Sequence, residues 1–263
     1  MWDVRVSPTV VSASAQLALE QSLLAQCASM DRMHLAILWQ SEPALVVSQT
    51  DRNLPQFAEA VRCAAAEGWP VSVRSTGGTA VALVPGVVNV GLIAPWRATR
   101  PSLEQGFELV CAPLITALAR FGVTASIGSA PQAFCDGRFN VLVGARKIAG
   151  TSQRHASQGA GGALLIHAAV LVDADPASLT AVVARFYDRA GRATHLDATT
   201  VTSLSQCVSH PGAGDLPRKF VATLSDVLTQ KAGNIRSLST CRSRKSHPRD
   251  SRDEAESAHR PTR

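Results

Sequence analysis

The apolar positions of this chain change period again and again, and the changes lay out its elements. Residues 11–26 (VSASAQLALEQSLLAQ) repeat at helical spacing, with Ser12 or Ser14 as the N-cap. HLAILWQ and ALVVSQ then read as two strands joined across Ser41-Glu42-Pro43. A helix is expected over 55–67, with Pro55 in its first turn and Gly68-Trp69-Pro70 ending it. Residues 71–95 (VSVRSTGGTAVALVPGVVNVGLIAP) predict a strand, a Gly-Gly hairpin turn, a second strand, a Pro-Gly turn and a third strand.

The second half continues in the same way. Residues 102–121 predict a long helix with Ser102 as cap, Glu104 in its first turn and an interior Pro113 that should kink it. VTASIGS, FNVLVGA and KIAGTSQRH are short strands, the last two turning at Gly144-Ala145. ALLIHAAVLVD is apolar on both faces, so it belongs in the middle of a sheet. SLTAVVARFY, 199–209 and 217–230 read as three more helices. Strand pairs of hairpin type mixed with helices predict one α+β domain, a largely antiparallel mixed sheet flanked by helices over residues 1–232.

Composition adds bounds. A chain of 263 residues that is 46% hydrophobic can bury one sizeable core. It has few aromatics, so Ala, Val and Leu must build that core. No apolar run reaches the length of a membrane span, and the start MWDVRVSP lacks a basic n-region and long h-region. The expectation is a cytoplasmic protein with no membrane contact.

The net charge of +6 is concentrated at one end. Nine of the 26 Lys/Arg and four of the 20 Asp/Glu fall in 231–263, leaving 17 against 16 in the rest. The body is therefore nearly neutral, and no nucleic-acid surface is expected on it. Residues 233–263 carry too little apolar surface to offset their ordering entropy and read as a basic disordered tail. The six cysteines form no CxxC pair and no zinc spacing, so no metal site is expected.

Three features are candidates for chemistry. Arg74-Ser75-Thr76-Gly77-Gly78-Thr79 is a glycine turn whose backbone can approach a ligand closely, with Arg74 beside it for a phosphate or carboxylate. It lacks the GK[ST] spacing of a phosphate loop. Lys147 opens a strand among small apolar neighbours, where its charge can point into a pocket, although most lysines beside a glycine turn are solvated. His167 inside an apolar strand, and Cys135 before Asp136-Gly137-Arg138, have plain structural readings as a hydrogen-bonded core histidine and a small buried hydrophobe.

Taken in order, these segments resemble the lipoate–protein ligase family, which includes biotin ligases and octanoyltransferases. Trp39…Pro43-Ala44-Leu45 resembles its W…P-A-hydrophobic strand, and Arg74-Ser75-Thr76-Gly77-Gly78-Thr79-Ala80-Val81 its R-R-x-[ST]-G-G-G-A-V loop. Pro85-Gly86-Val87-Val88-Asn89 resembles G-x-L-N, and Gly137-Arg138-Phe139-Asn140 resembles G-R-N-D or G-R-Y-D. Lys147-Ile148-Ala149-Gly150-Thr151 resembles K-[IV]-[AS]-G-[ST], and His167-Ala168-Ala169-Val170-Leu171-Val172-Asp173 resembles H-G-[ST]-[IL]-L-V-D. Only one arginine of the doublet is present, Thr79 stands for the third glycine, and Asn140 stands for the acid.

The resemblance implies a catalytic core like that of class II aminoacyl-tRNA synthetases and biotin ligases. It implies ATP- and Mg2+-dependent activation of lipoate or octanoate to the acyl-adenylate, followed by transfer to a lysine of a 2-oxoacid dehydrogenase lipoyl domain or of the glycine-cleavage H protein. Lys147 would contact the acyl carbonyl and phosphate. Arg74, Ser75, Thr76, Gly77, Gly78, Thr79, Asn89, Gly137, Arg138, Gly150, Thr151 and His167 would line the acyl-adenylate site. Two alternatives stay open: an ATP-free octanoyl or lipoyl transferase using Cys135 as nucleophile, and a non-catalytic acyl-binding member of the family.

Overall fold

The structure is a computed structural model that describes residues 2–29, 34–209 and 215–230. The expected tail, with Cys241, lies outside the described residues. In chain order the elements are β1 (Asp3–Val6), α1 (Ala13–Ser29), β2 (Leu35–Gln40), β3 (Ala44–Val47), α2 (Phe57–Ala66), β4 (Val71–Val73), β5 (Val81–Leu83) and β6 (Val87–Arg97). There follow α3 (Leu103–Ala119), β7 (Ser126–Gly128), β8 (Asn140–Val143), β9 (Arg146–Gln158), β10 (Gly161–Leu171), α4 (Pro176–Arg189), α5 (Leu204–Cys207) and α6 (Leu216–Gln230).

The strands form a seven-stranded sheet in the order β1-β2-β6-β10-β9-β8-β7 and a three-stranded sheet in the order β4-β3-β5. Every pairing in the large sheet is antiparallel except β1 with β2. The expected fold class is thus the observed one. β10 lies between β6 and β9, where a strand apolar on both faces must lie.

Alternation divides the core in two. Leu35, Ile37, Trp39, Leu165 and Leu171 face the side covered by α1 and the small sheet. Ala36, Leu38, Leu164, Ile166 and Val170 face α3 and α6. The Ser102 capping box with Gln105 starts α3, which runs from Leu103 to Ala119 with the buried Pro113 inside it, as the expected long helix does. Helix packing on both sides of that position maintains the helix despite the missing N–H donor.

Three expectations change. Gly77-Gly78 does not turn a hairpin: β4 and β5 lie on opposite edges of β3, and the loop between them crosses over it. Likewise β2 and β3, expected as neighbours, belong to different sheets. Residues 199–209 do not make one helix but a 3-10 turn at Ala198–Thr200 and a single helical turn, α5, capped by Ser203 and Gln206. The intervening Val201 bridges to Lys147, and that extended pairing interrupts the helix.

Candidate active site

The site grows from an irregularity in β9. Its pairing with β8 shifts register, so that Val141 faces Ala149 but Leu142 faces Lys147. A bulge of this kind re-aims the side chains around it. Lys147 is 1% exposed. Its ammonium donates to the carbonyls of Phe134 (2.6 Å) and Cys135 (2.7 Å) and lies 5.1 Å from the centre of the Phe134 ring. The lysine that the sequence allowed as a solvated turn residue is therefore an interior cation that holds the cysteine loop.

Cys135 has a positive φ of 49°, unusual for a side-chain-bearing residue. Asp136 fixes the next turn by accepting from the backbone N–H groups of Ala130 and Gly137 and from the Asn140 amide. The sulfur meets the glycine loop. Nη2 of Arg74 lies 3.7 Å from Sγ, and a Cβ on Gly78 would come within 2.9 Å of both Sγ and Nη2. Gly78, with φ +98°, is thus required twice, for backbone conformation and for space.

Burial alone raises the thiol pKa, but the charges of Arg74 and Lys147 and hydrogen bonds from the Thr79 backbone and side chain outweigh it, leaving the thiol below its usual range. Burial lowers the Lys147 pKa, Cys135 and Asp136 oppose that, and Arg74 adds to it. Two other cysteines go the opposite way. Burial raises Cys27 to about 11 and Cys111 to about 12.

Arg74 lines the pocket, and its guanidinium donates to the carbonyls of Val46, Gly77 and Thr79. Those bonds brace the loop and set its charge beside the sulfur. The far end of the loop is tied by Tyr187, which accepts from the Ala80 N–H and donates to the buried Asp51.

A largely apolar pocket with about 590 Å3 of empty space, part of it open to solvent, brings together Arg74, Asn89, Cys135, Lys147, Gly150, Thr151 and His167. Leu17, Leu83 and Leu171 supply apolar wall. A Cβ on Gly150 would lie 2.9 Å from the Lys147 nitrogen. Ser75, Thr76, Gly77, Gly78 and Thr79 back the pocket without lining it. Gly137 and Arg138 do not line it either; Arg138 is exposed and sits over Phe139, 5.5 Å from the ring centre.

Glu20 is not singled out by local sequence pattern. It lies on the buried stripe of α1 with Gln16, Leu23, Leu24 and Cys27, and it is 0% exposed. Trp39 Nε1 donates to its Oε1 (2.9 Å), and its Oε2 lies 2.8 Å from Nε2 of His167. An acid at a core position of an amphipathic helix was the available signal.

Residues 12–225 match the family model described as the lipoyl protein ligase A/B catalytic domain. This is an enzyme of acyl transfer or acyl ligation. The chain belongs to the lipoyl protein ligase A/B catalytic-domain family. It is 34% identical over 204 residues to an octanoyl-[GcvH]:protein N-octanoyltransferase of Kyrpidia tusciae, covering 74% of this chain and 69% of that protein. A lipoyl-[GcvH]:protein N-lipoyltransferase of Listeria monocytogenes is 25% identical over 155 residues, covering 59% and 54%. Among solved structures, a lipoate-protein ligase A bound with ATP shares the fold at a TM-score of 0.61 and 18% identity, covering 86% of this chain and 85% of that one. Protein Ta0514 of T. acidophilum with bound lipoic acid does so at 0.62 and 18%, covering 87% and 85%. No helix among the described residues is long and apolar enough to cross a membrane.

Proposed function

We propose that the protein moves an octanoyl or lipoyl group from one protein lysine to another through a thioester on Cys135, without ATP. The observation that carries this reading is the sulfur of Cys135 at the pocket wall, beside the Arg74 guanidinium and on a loop held by Lys147. A thiol with a depressed pKa in an electropositive setting is an activated nucleophile. The names of the relatives above, octanoyl- and lipoyl-[GcvH] transferases, support the same reading. The donor is then an acylated glycine-cleavage H protein and the acceptor a lipoyl domain of a 2-oxoacid dehydrogenase.

In the first half-reaction the Cys135 thiolate attacks the acyl carbonyl carbon. A C–S bond forms, the C–N bond to the donor lysine breaks, and the departing amine takes up a proton. Lys147, whose ammonium is made more acidic by burial, is the nearby proton source. In the second, the acceptor amine attacks the thioester and the sulfur leaves as thiolate, stabilised by Arg74. The apolar wall suits an aliphatic chain, each buried methylene contributing about 0.8 kcal/mol.

The residues present do not fit Mg2+-ATP. The pocket wall holds no carboxylate for the metal, and the Arg74 N–H groups are engaged by carbonyls. The ATP-dependent route is therefore the weaker of the two. The test is to incubate the protein with octanoylated H protein and apo lipoyl domain, with and without Mg2+-ATP. Transfer independent of ATP and lost in Cys135→Ser supports the proposal; transfer from free octanoate that requires ATP and survives Cys135→Ser contradicts it.

A further inference from the structure

Beside the nucleophile lies a second chain of polar groups that the thioester chemistry above does not use. His167 of β10 pairs in register with Ser152 of β9 on one side and Gly91 of β6 on the other. Ser152 Oγ donates to Thr76 Oγ1 (3.0 Å), which lies 3.0 Å from His167 Nδ1. His167 Nε2 lies 2.8 Å from Glu20 Oε2. A carboxylate only accepts, so Nε2 carries the proton and Nδ1 accepts from Thr76. The hydrogen bonds therefore run in one direction, from Ser152 through Thr76 and His167 to Glu20.

Gly91 makes this possible, since a Cβ there would lie 2.5 Å from Glu20 Oε1. The two ends of the chain differ. Ser152 lines the acyl pocket, whereas His167 also lines an open cleft of about 970 Å3 with Ser75, Gln21 and Arg154. The His167 side chain is 15% exposed, and its partner carboxylate is fully buried.

We propose that Ser152, Thr76, His167 and Glu20 form a proton relay that carries one of the acceptor amine's protons out of the acyl pocket to solvent. The inference rests on the thioester reading. An acceptor lysine arrives as an ammonium and sheds two protons on its way to an amide. One restores the ammonium of Lys147 spent in loading; the other passes to Ser152 Oγ as the hydroxyl protons shift along, Ser152 to Thr76 and Thr76 to His167 Nδ1. Glu20 holds the imidazolium until it releases the proton to the cleft. The C–N bond forms, the C–S bond breaks, and Cys135 is regenerated as thiolate. Ser152 is the member that meets substrate; Thr76, His167 and Glu20 are positioning residues. The charged groups facing His167 are Glu20 from α1, Arg154 from β9, and Arg74, Cys135 and Lys147 on the pocket side. On β6, Gly91 and Asn89 add no charge.

The test separates loading from discharge in the full chain. Loading uses an octanoyl thioester of N-acetylcysteamine, whose thiolate leaves without a proton; octanoylated H protein is the second donor, and because its amine must leave with protons its loading is the reverse of discharge and should slow with it; discharge uses apo lipoyl domain in single turnover. Ser152→Ala and Glu20→Gln should load Cys135 from the thioester within about twofold of the native rate and discharge about 10–100-fold more slowly at pH 7. The deficit should shrink as pH rises toward the lysine pKa of about 10.4, and Thr76→Ser should restore what Thr76→Val loses. Equal slowing of loading from the thioester and of discharge, a deficit constant across pH, or native discharge by Ser152→Ala, which keeps the buried pair intact, would overturn the relay. Failure of the native protein to load from either donor would overturn the thioester reading itself.

Discussion

Nη2 of Arg74 lies 3.7 Å from the sulfur of Cys135 and 2.7 Å from the carbonyl of Thr79. One guanidinium thus charges the nucleophile and ties the glycine loop that closes over it. Both the reactivity of the thiol and the shape of its cover depend on this one side chain.

Alkylation should reveal the thiolate. The Cys135 pKa is depressed, so its thiolate persists to lower pH than a free cysteine's and is lost as pH falls through the lowered value. Iodoacetamide near pH 7, followed by peptide mapping, should modify Cys135 ahead of Cys27 and Cys111, which burial raises to about 11 and about 12. Arg74→Gln should move the midpoint of the Cys135 rate profile upward. An unmoved midpoint would assign the depression elsewhere.

Lys147→Met keeps most of the side-chain volume but leaves the carbonyls of Phe134 and Cys135 without their donor. The expected cost is about 1–3 kcal/mol of stability, read by urea melts. Transfer should fall about 10²–10³-fold. Native turnover in a folded Lys147→Met protein would remove the lysine from the chemistry.

Gly78→Ala puts a methyl 2.9 Å from both the sulfur and Nη2 of Arg74, at a φ of +98°. About 1–2 kcal/mol of strain is expected, with loss of rapid alkylation at Cys135. Gly77→Ala meets no atom within 4 Å and should retain both.

Stability should depend on pH through the same pair. The folded state lowers the pKa of both Cys135 and Lys147, so between the lowered and the ordinary values the unfolded chain binds more protons. Stability therefore rises with pH across that window. The free-energy gap between the native protein and a Cys135→Ala, Lys147→Met double variant should shift in favour of the native protein from pH 7 to 9. A gap independent of pH would mean that neither group is perturbed.

Much of this was readable in the chain because it follows from periodicity. The both-face apolar run 163–173 demanded a central strand, and β10 is one. Lys147, Cys135 and His167 could be named as residues with two possible lives, and the pocket brings all three together. What local pattern could not carry was long-range pairing. A Gly-Gly turn looks like a hairpin until β3 takes the place between its strands. The bracing role of Arg74 was not legible either, because the three carbonyls it binds are distant in sequence or folded back on it. Glu20 was hidden in an otherwise ordinary amphipathic helix, its meaning supplied by His167, 147 residues away.

The acyl-enzyme itself decides the central claim most directly. Native protein is mixed with octanoylated H protein in the absence of ATP, quenched in acid and weighed intact, then mapped. A mass gain of one octanoyl group on Cys135, released by hydroxylamine and absent in Cys135→Ser, is the predicted result. Transfer to a lipoyl domain that proceeds at native rate in Cys135→Ser, with no acylated cysteine at any time, would contradict it.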